Sequence, residues 1–404
     1  MRGFDIVVVG GGIVGLTQAL ALKNAGLSVA VVDSHVSQGL PRGEPEIRVS
    51  ALTLASENIL HNLGVWQHLD PKRLCSYMDM QVWDHDSFGK INFSADQVQK
   101  PQLGHIVENQ AIRHSLWIQA QNSDHIELLA PRQIVQLVFG QQECFITLDD
   151  SSQLTAKLVI GADGANSVVK KHANLVQTFW DYDQHAIVAT VKTAMPHQNT
   201  ARQIFSATGP LAFLPLWDAH YCSIVWSQDE PKAAELLELS NDKFNQALTA
   251  AFDCTLGLCE LVSDRQSYPL KMRYSRQWVA NRVAIIGDAA HTIHPLAGQG
   301  ANLGILDGAA LAEQIIKLVA QNKDFGLAKN LRPFERWRKT EAVKMVAAME
   351  GFKRLFAGDQ PVKKLIRDTG LSLVNHSSFA KQQIIQHAMG LKGELPELAK
   401  VHLD

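Results

Sequence analysis

The stretch GDAAHTIHPLAGQGANLG, residues 287–304, has the pattern of a strand end, a glycine-rich loop and the start of a helix. The β-branched apolar run 282–286 precedes it, and apolar residues at helical spacing follow it from Leu303 to Leu311. Glycines let backbone N–H groups approach an anionic or planar ligand, and a helix start adds partial positive charge. The stretch therefore predicts a ligand-binding loop; a glycine-rich loop packed for shape alone is the alternative.

A second glycine-rich turn lies near the N-terminus. The apolar strand 4–9 runs directly into GGGIVG at positions 10–15, and a helical run continues to Ala25. The next strand, 28–32, ends in Asp33, about twenty residues beyond the glycines. This is the dinucleotide-binding fingerprint in its required setting, with a carboxylate placed for a ribose. It predicts a dinucleotide but does not distinguish NAD from FAD.

A third strand end carries an acid and a glycine, Asp163-Gly164, after the buried strand 158–162. An Asp-Gly pair most often forms a simple turn. It supports a ligand site here because it is the third such strand end in one chain. Arg48 lies where it can pair with a pyrophosphate, although an exposed loop arginine explains it equally well. Asn109 is explained without a ligand by capping the predicted helix 110–120.

The remaining pattern divides into strands and C-terminal helices. Residues 126–129, 134–139 and 144–148 alternate like a small meander, and 179–270 reads as an antiparallel sheet with a hairpin across 217–220. The mildly basic region 334–391 is predicted to be helical. Its apolar face could touch a membrane surface or a lipid-carrying partner, but we favour docking on its own core. The members of that face are Met345, Met349, Phe352, Leu355 and Phe356.

Composition limits the function classes. The 404 residues have a formal net charge of -2 and no long charge block, so charge gives no reason to expect a nucleic-acid partner. Five cysteines without a C-x-x-C pair indicate reduced thiols in a cytosolic protein. Because no apolar run approaches roughly twenty residues, we expect no transmembrane segment, and the early first strand leaves no place for a signal peptide.

Together, the three motifs resemble the three FAD fingerprints of the class A FAD-dependent aromatic monooxygenases. The run 287–307 is similar to the branch of that family that hydroxylates ubiquinone precursors, as are shorter stretches over nearly the whole chain: 82–84, 103–109, 179–182, 211–216 and 388–391. The resemblance implies an α/β fold with a Rossmann-like FAD-binding domain of the p-hydroxybenzoate hydroxylase type, an antiparallel-sheet substrate domain and C-terminal helices. The implied boundaries are 1–75, 101–178 and 276–355 for the discontinuous FAD-binding domain, 76–100 and 179–275 for the substrate domain, and 356–404 for the C-terminal helical segment.

The resemblance also implies roles for individual residues. The N-terminal glycines would cradle the FAD pyrophosphate, and Asp33 would bind the adenosine ribose, where many relatives have the longer Glu. Asp288 would hold sugar or ribityl hydroxyls, and residues 295–302 would border the isoalloxazine. The implied cofactor-binding set is Gly10, Gly12, Gly15, Asp33, Arg48, Asn109, Asp163, Gly164, Gly287, Asp288, Pro295, Gly298, Gln299, Gly300, Ala301 and Asn302. No catalytic residue is nominated, and the H-x-x-H pair His291 and His294 is interpreted as packing beside the flavin rather than as a metal site.

The activity implied is hydroxylation of a polyprenylated phenol, at the ring carbon that becomes C5 of ubiquinone, through a flavin C4a-hydroperoxide. FAD is the implied cofactor, with NAD(P)H and O2 as co-substrates. A lipid-binding partner, other ubiquinone-biosynthesis enzymes and a cytoplasmic location, peripheral to the membrane, are also implied, and a homo-oligomer is left open. Two alternatives share the scaffold: a flavin-fold scaffold or regulatory subunit of a biosynthetic complex, and a flavin-dependent prenyl reductase.

Overall fold

The structure is a computed structural model, and it describes residues 1–40, 43–86, 88–292, 299–356 and 377–401. Its strands are β1 (Arg2–Val9), β2 (Val29–Val32), β3 (Val49–Thr53), β4 (Cys75–Tyr77), β5 (Asp79–Asp84), β6 (Lys90–Ser94), β7 (Gly104–Glu108), β8 (Ile126–Leu129), β9 (Ile134–Phe139), β10 (Cys144–Leu148), β11 (Gln153–Gly161), β12 (Gln177–Thr193), β13 (Thr200–Ser206), β14 (Gly209–Pro215), β15 (Tyr221–Asp229), β16 (Cys259–Leu261), β17 (Gln266–Ser275), β18 (Val279–Ala280), β19 (Val283–Ile285) and β20 (His291–Thr292).

The α-helices of the described ranges are α1 (Ile13–Ala21), α2 (Leu54–Asn62), α3 (Asn109–Gln121), α4 (Val168–His172), α5 (Glu230–Glu238), α6 (Asn241–Ala251), α7 (Gln299–Ala320), α8 (Ala328–Phe356) and α9 (Ser378–Ala388). None of them is long and apolar enough to cross a bilayer.

The first sheet is the core of a Rossmann-like unit. Its strand order is β18-β19-β11-β1-β2-β8, and β10 and β9 extend it beside β11. Strands β19, β11, β1, β2 and β8 run parallel. The central strand β1 is fully buried from Ile6 to Val8, as expected for a strand covered by helices on both faces. The fold class predicted from the sequence is confirmed.

The second sheet is large and mostly antiparallel. Its order is β20-β17-β12-β15-β14-β13-β5-β6, with β16 beside β12. One face, which we name the outer face, carries Ile187, Ile224 and Phe213 and packs with Phe244 and Leu248 of α6. The predicted hairpin is confirmed, because β14 and β15 pair antiparallel around residues 216–220. A small third sheet, β3-β7-β4, lies between the two.

Two expectations about local structure were wrong. Strand β8 pairs in parallel with β2 and therefore does not belong to the meander, which consists of β9, β10 and β11. The helix α3 precedes β8, and a helical crossover returns a strand parallel to its neighbour. The N-cap of α3 is Glu108, and Asn109 is already the first residue of the helix.

The C-terminal helices dock on the rest of the chain where the structure describes them. Ile385 of α9 and Met389, which directly follows this helix, pack in one buried cluster with Ala95 and Leu103, and Gln382 donates a hydrogen bond to the carbonyl of Gln97. Met345 of α8 packs against the main core. The side chains of the other predicted face residues, Met349, Phe352, Leu355 and Phe356, lie outside the described part.

The outer face gives a test of core packing. Phe213 is buried and stacks on Phe252 with ring centroids 3.7 Å apart. We expect Phe213→Ala to lower the free energy of unfolding by about 3–5 kcal/mol, because it removes a ring and leaves a cavity. The matched control is Phe145→Ala, at a side chain that is 47% exposed. Equal effects of the two substitutions in denaturant titrations would contradict this assignment of the core.

Candidate active site

The predicted motifs meet at one edge of the parallel sheet. Val9 pairs with both Val32 and Gly161, and Gly161 pairs with Ile285, so four strands end side by side. The glycine turn follows β1 and Asp33 follows β2. Asp163-Gly164 follows β11, and Gly287-Asp288 follows β19. In open α/β sheets, ligands bind outside the carboxyl ends of the strands.

The first turn needs its glycines for two different reasons. Gly10 has φ +107°, and a Cβ there would lie 2.4 Å from the carbonyl oxygen of Ala162. A Cβ on Gly15 would lie 1.9 Å from the carbonyl oxygen of Gly10, so the helix could not pack on the strand. A Cβ on Gly12, by contrast, would meet no protein atom within 4 Å. Gly12 is the N-cap of α1, and no side chain caps that helix. The partial positive charge of its N-terminus therefore faces open space.

Asp33 closes this turn from the neighbouring strand. Its Oδ2 accepts a hydrogen bond from Gly11 N at 2.5 Å, and its Oδ1 accepts one from His35 N at 2.7 Å. Arg113 of α3 braces the same turn: its Nε donates to the carbonyl of Gly11 at 2.8 Å, and a terminal nitrogen lies 3.4 Å from Asp33 Oδ1. The role of Arg113 was not predicted from the sequence. The available signal was its position four residues after Asn109, on the same face of a helix.

Asp163 has one carboxylate oxygen without a partner. Its Oδ2 caps the next helix by accepting from Val168 N at 2.6 Å and from Val169 N at 3.2 Å. Its Oδ1 is buried and has no hydrogen-bond partner in the structure. A buried acceptor of this kind costs free energy unless a ligand or water donates to it. Gly164 has φ +77° and open space around the position of a Cβ.

Asp288 stands among several cationic groups. Solvent reaches its side chain, yet the surrounding protein is dense enough that desolvation raises the pKa of the carboxyl group. The nearby charges of Arg48 and Arg273 act in the opposite direction. Lys170 contributes to the same region, and its pKa is lowered by burial and then by the charge of Arg273. The edge of the sheet is thus lined by both signs of charge.

Arg48 and Asn109 are brought together by the pairing of β3 with β7. Asn109 N donates to the carbonyl of Arg48 at 3.0 Å, and Asn109 Oδ1 accepts from Ser50 Oγ at 2.6 Å. The guanidinium of Arg48 is exposed and lies 5.4 Å from the ring centroid of Tyr268 in the large sheet. Arg48 therefore joins the nucleotide-binding side to the antiparallel sheet.

A buried ion pair holds the loop that carries Arg48. Arg73 donates to both carboxylate oxygens of Glu108, at 2.7 and 2.6 Å, and Glu108 Oε1 also accepts from Glu46 N at 2.6 Å. Arg73 additionally donates to the carbonyls of Gly43 and Glu44. Beside this loop lies a cavity of about 670 Å³, which reaches across to residues 261–266 and is lined mainly by polar groups. The sequence pattern gave no signal for the Arg73–Glu108 pair.

The start of α7 is tied to β3. Asn302 Nδ2 donates to the carbonyl of Ala51 at 2.8 Å, and Asn302 Oδ1 accepts from Thr53 N at 2.9 Å. A Cβ on Gly300 would meet no atom within 4 Å. Ala301 is part of the same first turn, while Gln299 is described only in its backbone. The predicted site residues Pro295 and Gly298 lie outside the described residues, as does His294.

Asp307 is the buried charge behind the last motif. Its Oδ2 accepts from Gly287 N at 3.2 Å and lies 2.5 Å from His291 Nε2, and its Oδ1 accepts from Arg338 Nε at 2.8 Å. Burial alone would raise the pKa of Asp307, but the charges and hydrogen bonds of His291 and Arg338 outweigh burial and lower the pKa. His291 is therefore engaged by a carboxylate, and its ring also lies 5.0 Å from that of Trp278.

The face of the large sheet opposite its outer face carries an apolar row. We name it the inner row: Val188, Val225 and Ala212 are lateral neighbours on three adjacent strands, followed by Gln203. The three apolar members are partly exposed. Side chains alternate along a strand, so these residues point away from α6. The same face packs through Leu214 on Ala51 and Ile106 of the small sheet.

Comparison with known proteins agrees with this geometry. Residues 3–329 match the family model described as "FAD binding domain". The chain is 32% identical over 435 residues to ubiquinone biosynthesis monooxygenase COQ6, mitochondrial, of Danio rerio, covering 95% of this chain and 89% of that one. It is 30% identical over 388 residues to 3-demethoxyubiquinol 3-hydroxylase of Escherichia coli (strain K12), covering 96% of this chain and 98% of that one. Among solved structures, p-nitrophenol 4-monooxygenase PnpA of Pseudomonas putida DLL-E4 has a TM-score of 0.78 at 18% identity, covering 96% of this chain and 99% of that one.

Substitution by alanine is expected to destabilise the protein by different amounts at Gly15 and Gly12 of the first turn. We expect Gly15→Ala to lower the free energy of unfolding by about 1–3 kcal/mol, because the added Cβ overlaps backbone that cannot move freely. Gly12→Ala should cost less than about 1 kcal/mol, because its backbone is extended and its Cβ meets no protein atom. Thermal or denaturant unfolding of the FAD-free variants measures both. A Gly15→Ala protein as stable as the Gly12→Ala protein would show that the close helix packing is absent.

Proposed function

We propose, from the premise that this chain belongs to the FAD binding domain family and is an FAD-dependent monooxygenase, that it hydroxylates the ring of a polyprenylated phenol in ubiquinone biosynthesis. The observation that carries the proposal is the inner row, a partly exposed apolar surface on the face of the large sheet that packs against the small sheet and the loop before Arg48. The names of the relatives support the pathway, and the row supports an apolar aromatic substrate.

The residues at the sheet edge fit FAD. Among the described residues, no protein atom meets a Cβ placed on Gly12, no side chain caps the N-terminus of α1, and no donor reaches the buried Asp163 Oδ1. A pyrophosphate satisfies the first two features, and a ligand hydroxyl group would satisfy the third. When bound, FAD accepts hydride from a nicotinamide co-substrate and activates O2.

Each predicted residue has a place in this scheme. Gly10, Gly12 and Gly15 would shape the pyrophosphate cradle, with Asp33 holding the turn and reaching the adenosine ribose. Arg48 would face the phosphates with Asn109 beside it. A larger set would line the rest of the cofactor: Asp163, Gly164, Gly287, Asp288, Pro295, Gly298, Gln299, Gly300, Ala301 and Asn302. The support for Asp163, Gly164, Gly287 and Asp288 is the shared strand edge, and the support for the others, including Pro295 and Gly298, which lie outside the described residues, is the family motif that they match.

The protein's own work in the reaction is to bind and orient the phenol and to exclude water. Val188, Val225 and Ala212 offer contact to an aromatic ring and a prenyl chain, while the Gln203 amide at the end of the row is a polar group for a ring oxygen. Holding the ring in a fixed orientation beside the reacting centre is worth several orders of magnitude in rate. The polar cavity beside Arg48 suits the prenyl chain of the substrate less well. Burial of each CH2 group of that chain stabilises the complex by about 0.8 kcal/mol only when the group packs on an apolar surface.

The finer substrate assignment is a 2-polyprenylphenol, hydroxylated at the carbon that becomes C5 of ubiquinone. It rests on the similarity of the stretches 82–84, 103–109 and 179–182 to that branch of the family. NAD(P)H is the proposed reductant. Because a polyprenyl chain is poorly soluble in water, we also propose a lipid-binding partner or other ubiquinone-biosynthesis enzymes as its source, at a cytoplasmic site peripheral to the membrane.

The function is tested by single-turnover chemistry on the purified FAD-bound protein. It would be reduced anaerobically with NADH or NADPH and then mixed with oxygen, with and without a short-chain 2-prenylphenol. We expect a product that has gained one oxygen atom, and proton NMR of its ring to identify the new hydroxyl position. Flavin reduction that yields only peroxide in the presence of bound phenol would favour a scaffold subunit. Saturation of a prenyl double bond would favour a reductase.

A substitution in the inner row separates substrate binding from cofactor binding. We expect Ala212→Phe to leave FAD content unchanged and to lower kcat/KM for the prenylphenol by at least about tenfold, because the new ring occupies the proposed surface. The matched control is Val135→Phe, at a side chain that is 64% exposed on β9. Unchanged kcat/KM in a folded, FAD-loaded Ala212→Phe protein would remove the inner row from the substrate site.

A further inference from the structure

Arg338 lies outside the matched FAD-binding segment, which ends at residue 329, yet its charge is buried behind the last FAD motif. It belongs to α8, and its side chain is 2% exposed. Its Nε donates to Asp307 Oδ1 at 2.8 Å, and a terminal nitrogen donates to the carbonyl of Leu303 at 3.4 Å. Arg338 thus contacts two points of α7, one in its first turns and one at the buried carboxylate.

The partners of Asp307 connect this charge to the Gly287-Asp288 turn. The second oxygen of Asp307 holds the N–H of Gly287 and the ring of His291, one residue before Asp288 and three residues after it. The carboxylate therefore fixes both sides of Asp288. It can do so only while it stays ionised in a fully buried place, and that requires a compensating cation.

The residues around Asp307 leave Arg338 as the cation that compensates its buried charge. Trp278 covers the other side of His291, and Trp278 N donates to Glu335 Oε1 at 2.7 Å, one turn before Arg338 on α8. Glu335 itself is paired with Arg332 and lies 3.8 Å from Lys339 Nζ. The charges of Arg332, Glu335 and Lys339 are therefore paired with one another, and Arg336 is exposed. Among the described residues, Arg338 is the permanent cation that reaches Asp307.

We propose that Arg338 is a positioning residue for FAD, which acts through Asp307 to hold the Gly287-Asp288 turn in its binding conformation. By this route a helix beyond the nucleotide-binding segment contributes to cofactor affinity without touching the cofactor. Linkage makes the effect reciprocal, so bound FAD strengthens the docking of α8. The inference rests on the proposed placement of FAD at this turn.

The test measures FAD affinity rather than turnover. Flavin absorbance and fluorescence titrations of the FAD-free protein give the Kd for FAD in each variant. We expect Arg338→Met to raise Kd about tenfold to a hundredfold, as for the loss of a charge-assisted hydrogen bond. Arg338→Lys keeps the positive charge and should recover part of the affinity. The exposed neighbour Arg336 provides the matched control, and Arg336→Met should leave Kd unchanged.

A second comparison separates positioning from general loss of stability. Phe334 is buried on the same helix and packs toward Trp278, with ring centroids 6.4 Å apart. Phe334→Leu should therefore lower the Tm of the FAD-free protein without removing the charge on Asp307. Positioning predicts that Arg338→Met loses much more FAD affinity than Phe334→Leu at equal loss of Tm. Equal affinities at equal Tm, or no rescue by lysine, would overturn the proposal.

FAD binding by the unsubstituted protein distinguishes a failure of the proposed function from a failure of the positioning role of Arg338. If it does not bind FAD, the proposed function and its cofactor site fail. If it binds FAD and Arg338→Met binds it equally well, only the positioning role fails. Should Arg338→Met not fold, the comparison passes to Arg338→Lys, whose Kd must then exceed that of Arg336→Met for the role to stand.

Discussion

The constraint on which the site depends is that parallel strands end at the same edge of their sheet. The pairing of Val9 with Gly161 and Val32, and of Gly161 with Ile285, fixes four strand ends side by side, each about 4.8 Å from the next. No side chain is needed to bring these motifs together, because the hydrogen-bond ladder does it. The side chains then have a narrower task, which is to hold each turn in a conformation that leaves its N–H groups and oxygens directed outward.

Buried and half-buried charges perform that task, and they come from distant parts of the sequence. Asp33 and Arg113 brace the first turn, Arg73 and Glu108 brace the loop before β3, and Asp307 braces the last turn. Such pairs are costly to desolvate and are weak grounds for stability. Their value lies in geometry, because a carboxylate that must be satisfied has few conformations in which every donor reaches it. The edge of the sheet is accordingly rigid where the ligand would lie.

Much of this could be predicted from the sequence, for local reasons. The glycines at 10, 12 and 15 are recognisable because a strand, a turn and a helix follow within a short run, and strands β8, β9 and β10 were predicted to the residue. The partner of β8 was not, because pairing depends on the crossover through α3. Arg113, Arg73 and Arg338 were not predicted for a related reason: each acts on a residue that only the fold brings near.

The order of the strands in the first sheet differs from their order along the chain. The neighbours β1 and β11 are separated along the chain by the whole of the third sheet, and β19 follows all strands of the antiparallel sheet except the short β20. Closing such long loops is slow, and a chain leaves the ribosome from its N-terminus. The N-terminal glycine turn must therefore wait for residues near 285 before the fourth strand end joins its edge of the sheet. FAD is in this sense a ligand of the finished chain: β1 has both of its neighbours once β11 has been made, but the Gly287-Asp288 turn joins the edge only with β19.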